Sequence, residues 1–501
     1  MKKIIYSLLA ISFLLSSCED QLDINRDPDL LSQDNAALSS EIAAGMMGIG
    51  ATQNFYYAFI GGIWAQQWSQ SLAASQYRAI DDYSIGTNDY TGGWSNMYDA
   101  LSDIKNAKKL AFEQENWNYY LIASCLDVYA SQIMTDFYND IPYKEANLGI
   151  DNLQPNFNTG QEIYDFMIED LDDALGRDLA NSSLPAPGAD DFMFSGVMAR
   201  WVEFANTLKL KIYLRQTEAR SSVAQAGITA MINANAAFLT VDAAIPSSVF
   251  KDEANASSPL YENDRRQLNT NSNLRASRTM WSYLDANSDP RLEAFYGLGN
   301  PLDQGDYNSD AAPNSVSIAD ISPLSPVFFI SAAQSYFMQA EAMERYNGGT
   351  GAKALYDAGV AAAFEKSPNF FDDTKSEANQ NWVFQTPYDH TPFIEAGGVY
   401  EYPEAGTLDD KLSAIITQKW ISNYPDQGYE SFFEQHRTGI PAVSAVPQTS
   451  LSYVPGEFAY SVNGVTGGVF PQRLVYPNTE LSRNSNAPDI VEITVPVWWN
   501  N

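Results

Sequence analysis

The chain is 501 residues long and carries 29 Lys and Arg against 62 Asp and Glu, a formal net charge of −33. That balance excludes a nucleic-acid binder, which needs cations to displace counterions, and a content of 45% hydrophobic and 13% aromatic residues excludes a disordered chain. The acids are spread along the sequence with no acidic tail, so they read as a solvated surface over a core large enough for one large domain or two packed ones.

Met1-Lys2-Lys3 makes a basic head, and residues 4–15 form a largely apolar run. The run has the length of a signal-peptide core and falls short of the roughly 20 residues that a membrane-crossing helix needs. Leu15-Ser16-Ser17-Cys18 then resembles the bacterial lipobox, where a peptidase cuts before a cysteine already carrying diacylglycerol. The pattern predicts a signal peptide over residues 1–17 and a mature chain, 18–501, tethered through a lipidated Cys18. The alternative is a secretory signal with a chance cysteine. A thiol suits thioether attachment, and the freed amine can take a further acyl chain such as palmitate; two or more chains anchor stably where one binds marginally. Cleavage removes Lys2 and Lys3 and deepens the formal charge from −33 to −35. Glu19 and Asp20 resemble an export signal that sends some lipoproteins of Gram-negative glycan scavengers to the cell surface.

Residues 61–98 hold a dense mixture of aromatic and hydrogen-bonding residues, including Trp64, Gln67, Trp68, Tyr77, Arg78, Tyr83, Asn88, Tyr90 and Trp94. Trp94 starts a helical pattern with Met97, Tyr98 and Leu101, which favours a core position. Cys125, the one other cysteine, lies in an apolar helical stretch and reads as a buried small hydrophobe. Thr159-Gly160-Gln161-Glu162 reads as a capping box opening a helix with Ile163, Phe166, Met167, Leu171 and Ala174 inward. A further amphipathic helix from Trp201 turns Phe204, Ala205, Leu208 and Ile212 inward. The positions Phe329, Ala333, Tyr336, Ala340 and Met343 predict a helix stopped by Gly348 and Gly349. A second helix follows to about Phe364 with Leu355, Ala358 and Ala362 on one face, so the two form a hairpin. Repeated hairpins suggest solenoid-like stacking.

Residues 252–275, 296–327, 385–410 and 437–490 lack periodicity but carry many aromatics, which predicts a loop-built face on a helical scaffold. Trp498 and Trp499 read as packing of the C-terminus. His390 and His436 are far apart, and no zinc spacing, phosphate loop or nucleophile motif is present. No cofactor and no metal site is expected.

Several separated segments together resemble the SusD/RagB nutrient-binding lipoproteins, in particular the second SusD-like subfamily. They are Leu22-Asp23-Ile24-Asn25-Arg26-Asp27-Pro28; Asp136-Phe137-Tyr138-Asn139-Asp140-Ile141-Pro142-Tyr143-Lys144-Glu145-Ala146, with Asn139 where Gly is usual; Trp201 to Leu208; Tyr336 to Arg345; Ile416 to Trp420; and Pro471 to Glu480. Asp289-Pro290-Arg291-Leu292 also resembles a family segment and reads as structural. The resemblance implies a mostly α fold, with four tetratricopeptide-like hairpins supporting a loop-rich half. It implies an outer-membrane lipoprotein that caps a TonB-dependent β-barrel transporter of the SusC type and delivers oligosaccharide, or in some members peptide, without catalysis.

Aromatic planes stack on the C–H faces of sugars, and Asn, Gln, Asp and Arg bond their hydroxyl rims. On that ground Tyr77, Arg78, Tyr83 and Tyr90, in Gly/Asp/Ser/Thr-rich sequence, are the candidate ligand-binding residues on an exposed face. Trp64 and Trp68 are further candidates with core packing as their alternative, and the region from Trp281 to Tyr307 offers a second wall. Two rival functions remain: a surface glycoside hydrolase using a carboxylate pair, and a helical-repeat scaffold that binds protein.

Overall fold

The computed structural model describes residues 37–72, 74–267, 273–297, 299–366 and 388–500. Cys18 and the boundary at residue 17 lie outside the described residues.

Helix α1 (Leu38–Thr52) runs through a π-helical turn at Gln53–Tyr57 into α2 (Ala58–Trp64). Strand β1 (Trp68–Gln70) and a single helical turn, α3 (Arg78–Asp81), lead to α4 (Gly92–Glu113). Helix α4 packs on α1 and pairs with α5 (Trp117–Tyr138). The turn between them is set by Asn116, whose side chain accepts the Tyr119 N–H. Every residue of α5 from Tyr119 onward is buried. A helix buried on all sides lies at the centre of the molecule, and Cys125 sits there as a free thiol whose pKa burial pushes up. Helix α5 ends at Asn139, whose φ of 73° is a left-handed conformation that Gly or Asn adopts at least cost.

Helix α6 (Gly160–Leu175) opens on the predicted capping box: Thr159 Oγ1 accepts the Glu162 N–H at 3.3 Å, and Glu162 Oε2 accepts the Thr159 N–H at 2.9 Å. Ile163, Met167, Leu171 and Ala174 are buried as expected, and Phe166 is half-buried. Helices α7 (Met198–Arg215) and α8 (Ser221–Asn233) continue the stack, with Phe204, Ala205, Leu208 and Ile212 fully buried.

Strand β2 (Ala243–Ile245) pairs antiparallel with β4 (Val327–Ile330), and β3 (Leu274–Ala276) pairs antiparallel with β1, Trp68 opposite Ala276. Helices α9 (Arg278–Ala286) and α10 (Arg291–Phe295) lie between β3 and β4. The second hairpin is α11 (Ala332–Tyr346) with α12 (Ala352–Lys366), and α13 (Leu408–Ser422) and α14 (Gly428–Thr438) complete the scaffold.

Two expectations for that hairpin are corrected. Phe329 belongs to β4, because Ser331 caps α11 by accepting the Gln334 N–H and so starts the helix after it. The buried face of α12 is Tyr356, Gly359, Val360 and Ala363, one position on from Leu355, Ala358 and Ala362. The cause is close approach: a Cβ on Gly359 would stand 2.6 Å from the Phe337 ring, so the only residue that fits between the helices fixes which face turns in.

Across the middle of the scaffold runs a chain of buried ion pairs. Arg215 on α7 donates to Asp136 on α5 at 3.2 Å and to Glu434 and Glu430 on α14 at 2.5 and 2.6 Å. Arg437 donates to both oxygens of Glu341 on α11, at 2.7 and 2.8 Å, and to Glu434. Lys211 reaches Glu430 at 2.7 Å and Lys419 reaches Glu434 at 3.4 Å. Burial alone would raise the carboxyls of Glu430 and Glu434, but the facing cations hold both below the usual range. Removing one cation leaves a buried carboxylate unpaired. Arg215→Met is therefore expected to lower the free energy of unfolding in urea by about 3–5 kcal/mol. Arg220→Met, which breaks a pair to the half-exposed Asp165, should cost less than about 1 kcal/mol in the same titration.

Candidate ligand-binding site

The loops after α2 are held by buried amides. Gln66 accepts from Thr279 Oγ1 at 2.5 Å and from the Ala459 N–H at 3.0 Å, while its Nε2 donates to the Ala459 carbonyl at 2.6 Å. Gln67 donates to the Trp420 carbonyl, and Gln70 accepts the Tyr77 N–H. Gln304 accepts from Ser277 Oγ, donates its backbone N–H to Gln448 Oε1 at 2.6 Å, and donates from Nε2 to Asp81 Oδ1 at 2.8 Å. Asp81 also accepts from the Gln70 N–H at 2.9 Å and from Ser69 Oγ at 3.3 Å. Four distant stretches, near residues 70, 81, 304 and 448, thus meet at a few side chains.

This frame presents three loops on one face. The Val465 N–H donates to the Asp82 carbonyl, the Val462 N–H to the Gln304 carbonyl, and Asn463 Nδ2 to the Gly305 carbonyl at 2.7 Å. At their junction the half-buried Arg78 guanidinium lies 4.7 Å from the centre of the half-buried Tyr307 ring. Tyr307 donates to Asp82 Oδ2 at 3.3 Å, and Ser84 to Asp82 Oδ1 at 2.5 Å. Arg78 makes no ion pair among the described residues, and its Nε is buried without a hydrogen-bond partner. Exposed Asn308 contacts Asn463 at 3.4 Å. A half-buried aromatic ring with a guanidinium over one face, a carboxylate at its hydroxyl and amides beside it offers both parts of the two-faced chemistry of a sugar.

The structure leaves Arg78 and Tyr90 at this face, Tyr90 half-buried with its hydroxyl on the Gln76 carbonyl at 2.8 Å. It removes the other four candidates. Tyr77 is 4% exposed with its ring 4.6 Å from Phe59, and Tyr83 is 2% exposed between Tyr460 and Phe470. Trp64 donates to the Ile80 carbonyl and packs on Phe432, and Trp68 is buried in β1 against Tyr424. Tyr83, Trp64 and Trp68 are covered by rings from residues 424–470, far along the chain, so polar neighbours in sequence did not reveal them as core. Trp94 is core, as its helical spacing indicated. Sequence reasoning missed Asp82 and Asn463. Tyr307 stood at the end of the proposed second wall, and its position among Asp, Gly and Asn residues is the signal that an open ring follows.

Among the described residues no helix is long and apolar enough to cross a membrane, and no group of three or more His, Cys, Asp and Glu is placed to hold a metal. The fold is a mostly α-helical scaffold that carries a loop-built face. Residues 30–477 match the SusD-like family described as starch-binding associating with outer membrane, and the chain belongs to that family. Its fold is shared by solved structures at low identity. A SusD homolog from Bacteroides uniformis superposes with a TM-score of 0.71 at 22% identity, covering 92% of this chain and 99% of that one. A chitin-binding SusD homolog from Flavobacterium johnsoniae does so with a TM-score of 0.68 at 20% identity, covering 92% and 98%. No curated protein matches the sequence.

Burial pushes the Asp81 carboxyl up to about 7, against which the donors Gln70, Ser69 and Gln304 act only in part. The folded state therefore holds this proton more tightly than the unfolded chain, whose Asp titrates near 3.9. Stability contributed at this site falls as pH rises from about 4 to about 7, by up to about 4 kcal/mol. Asp81→Asn should remove that slope: the stability of wild type relative to the variant, from urea titrations at both ends of the window, should drop with rising pH. Tyr83→Ala should lower unfolding free energy by about 3–5 kcal/mol, as truncation of a buried ring does, and leave ligand affinity to other residues.

Proposed function

We propose that the chain is a non-catalytic, cell-surface glycan-binding lipoprotein. In this reading residues 1–17 are its signal peptide, residues 18–501 its binding domain, and Cys18 its lipid anchor in the outer membrane. It captures oligosaccharide, with peptide as the other ligand known for the family, and passes it to a TonB-dependent transporter of the SusC type. The observation that carries the reading is the partly exposed Tyr307 ring under the Arg78 guanidinium, which makes no ion pair among the described residues, on a three-loop face. The family match, described as starch-binding, and the chitin-binding relative support oligosaccharides of glucose or N-acetylglucosamine as first ligands. Arg78, Asp82, Tyr90 and Tyr307 are the contact residues, Tyr307 stacking on a pyranose and Arg78 and Asp82 bonding its hydroxyls.

Calorimetric titration with maltoheptaose and chitohexaose tests this directly. Tyr307→Ala should weaken the cognate oligosaccharide by about 1–2 kcal/mol, roughly 5- to 30-fold, with little change in thermal midpoint. Unchanged affinity would move the site off this face, and turnover of either glycan by the purified protein would replace the capture reading by a hydrolase. Mass spectrometry of the native N-terminus should find an acylated Cys18, and a large β-barrel should co-purify in mild detergent. A mature N-terminus without acyl chains would end the anchor reading.

A further inference from the structure

A second hollow, of about 410 Å3, lies between α4, the loop at 142–155 and the short helix α15 (Asn478–Arg483). Its size falls in the roughly 300–1,000 Å3 range of small-molecule sites. Trp94 and Tyr98, one turn apart on α4 with ring centroids 5.1 Å apart, form its floor. Tyr98 is held by donation to the Pro142 carbonyl at 2.8 Å. Asn147 spends its amide N–H on the Tyr98 carbonyl at 2.9 Å, which leaves its Oδ1 buried on the cavity wall without a protein donor. Across the hollow the exposed Arg483 makes no ion pair or side-chain hydrogen bond among the described residues, and Glu480 accepts from Asn484 at 2.9 Å. Leu148 and Leu153 stand exposed at the lip, Leu153 by 77%.

The lining is two-faced. Aliphatic and aromatic carbon covers one side, and an unsatisfied acceptor, a carboxylate and a free guanidinium mark the other. A pyranose has the complementary division between C–H face and hydroxyls. Asp99 and Glu480 outnumber Arg483 in the lining, which sets the hollow against anionic sugars. We propose that this cavity is a second saccharide site, separate from Tyr307, that takes a short neutral glycan segment. A hydroxyl would donate to Asn147 Oδ1, another would accept from Arg483, and a C–H face would rest against Leu153 and the ring floor. The proposal rests on the glycan-binding reading above. A glycan long enough to reach both sites would form its second contact at high effective concentration.

The test is calorimetric titration of the mature protein with maltotriose, chitotriose and cellotriose. Wild type is expected to bind two molecules of at least one of them. Ser95→Trp, which fills the hollow from the exposed side of α4, should reduce that to one. Arg483→Ala should weaken the same step about fivefold or more, both variants keeping the wild-type thermal midpoint. Tyr307→Ala should remove the other step only. A single site abolished by Tyr307→Ala and untouched by Ser95→Trp would overturn the proposal and leave the main face standing. A single site with the opposite pattern would uphold the cavity and overturn the main face. Absence of binding to all three trisaccharides at millimolar concentration would overturn both.

Discussion

Arg215 and Arg437, both fully buried, hold the scaffold in register. Between them they bind carboxylates from α5, α11 and α14, so three separate parts of the chain meet only when these guanidinium groups are paired. Desolvation makes such a network costly to assemble and more costly to break. It therefore acts as a specificity device: slipping α14 along α7 would leave Glu430 or Glu434 buried without a cation. The binding face inherits its position from this. Helix α14 packs on α2 with almost no side chain between them, since a Cβ on Gly61 would fall 2.1 Å from the Tyr429 backbone. Gln66 and Gln67 follow α2 directly and tie down the segments at Thr279, Ala459 and Trp420, while Gln70 and Gln304 hold Asp81.

The line from ionic core to ligand face passes through polar groups throughout. Loops without regular structure bring their own backbone donors and acceptors inside, and those must be satisfied. Glutamine meets that need well, since one amide both donates and accepts, as Gln66 does with the two backbone groups of Ala459. Tyr83 and Tyr90, with φ of 65° and 51°, show the same frame holding non-glycine residues in left-handed turns. A strained conformation persists only where its surroundings over-determine it. The result is a face ordered before ligand arrives, which lowers the entropy lost on binding.

Periodicity made the helices legible. The inward residues of α6 and α7, the Thr159 capping box and the buried Cys125 all follow from spacing alone. The same logic failed on α12, where a glycine at the crossing with Phe337 outweighed the bulk of Leu355. It failed more broadly over residues 64–83. There the local sequence looks like exposed loop, yet Tyr83 is covered by Tyr460 and Phe470, nearly 400 residues away in the chain. Composition records which side chains a segment owns but not which remote loop folds over them, so an interleaved aromatic and polar stretch fits a binding face or a polar-stapled core equally well. Arg78 and Tyr90 keep their candidacy because both remain partly exposed, Arg78 even with the remote Tyr307 ring against it.

The charge distribution bears on what the face can bind. Lysines and arginines are scarce, and Lys211, Arg215, Arg291, Lys366, Lys419 and Arg437 have side chains 2% exposed or less. Buried carboxylates such as Asp136, Asp289, Glu341, Asp426, Glu430 and Glu434 match these cations, so the surface keeps the acidic excess of the chain. Such a field repels polyanions and gives no electrostatic steering to neutral molecules. Recognition of an uncharged glycan must then come from contact: stacking on an open ring and hydrogen bonds from donors that have no competing partner. Arg78 meets that requirement at Tyr307, and Arg483 meets it at the cavity over Trp94. A guanidinium left unpaired on an acidic surface keeps its hydrogen-bond donors available, which is what a ligand offering hydroxyl oxygens rather than charge requires.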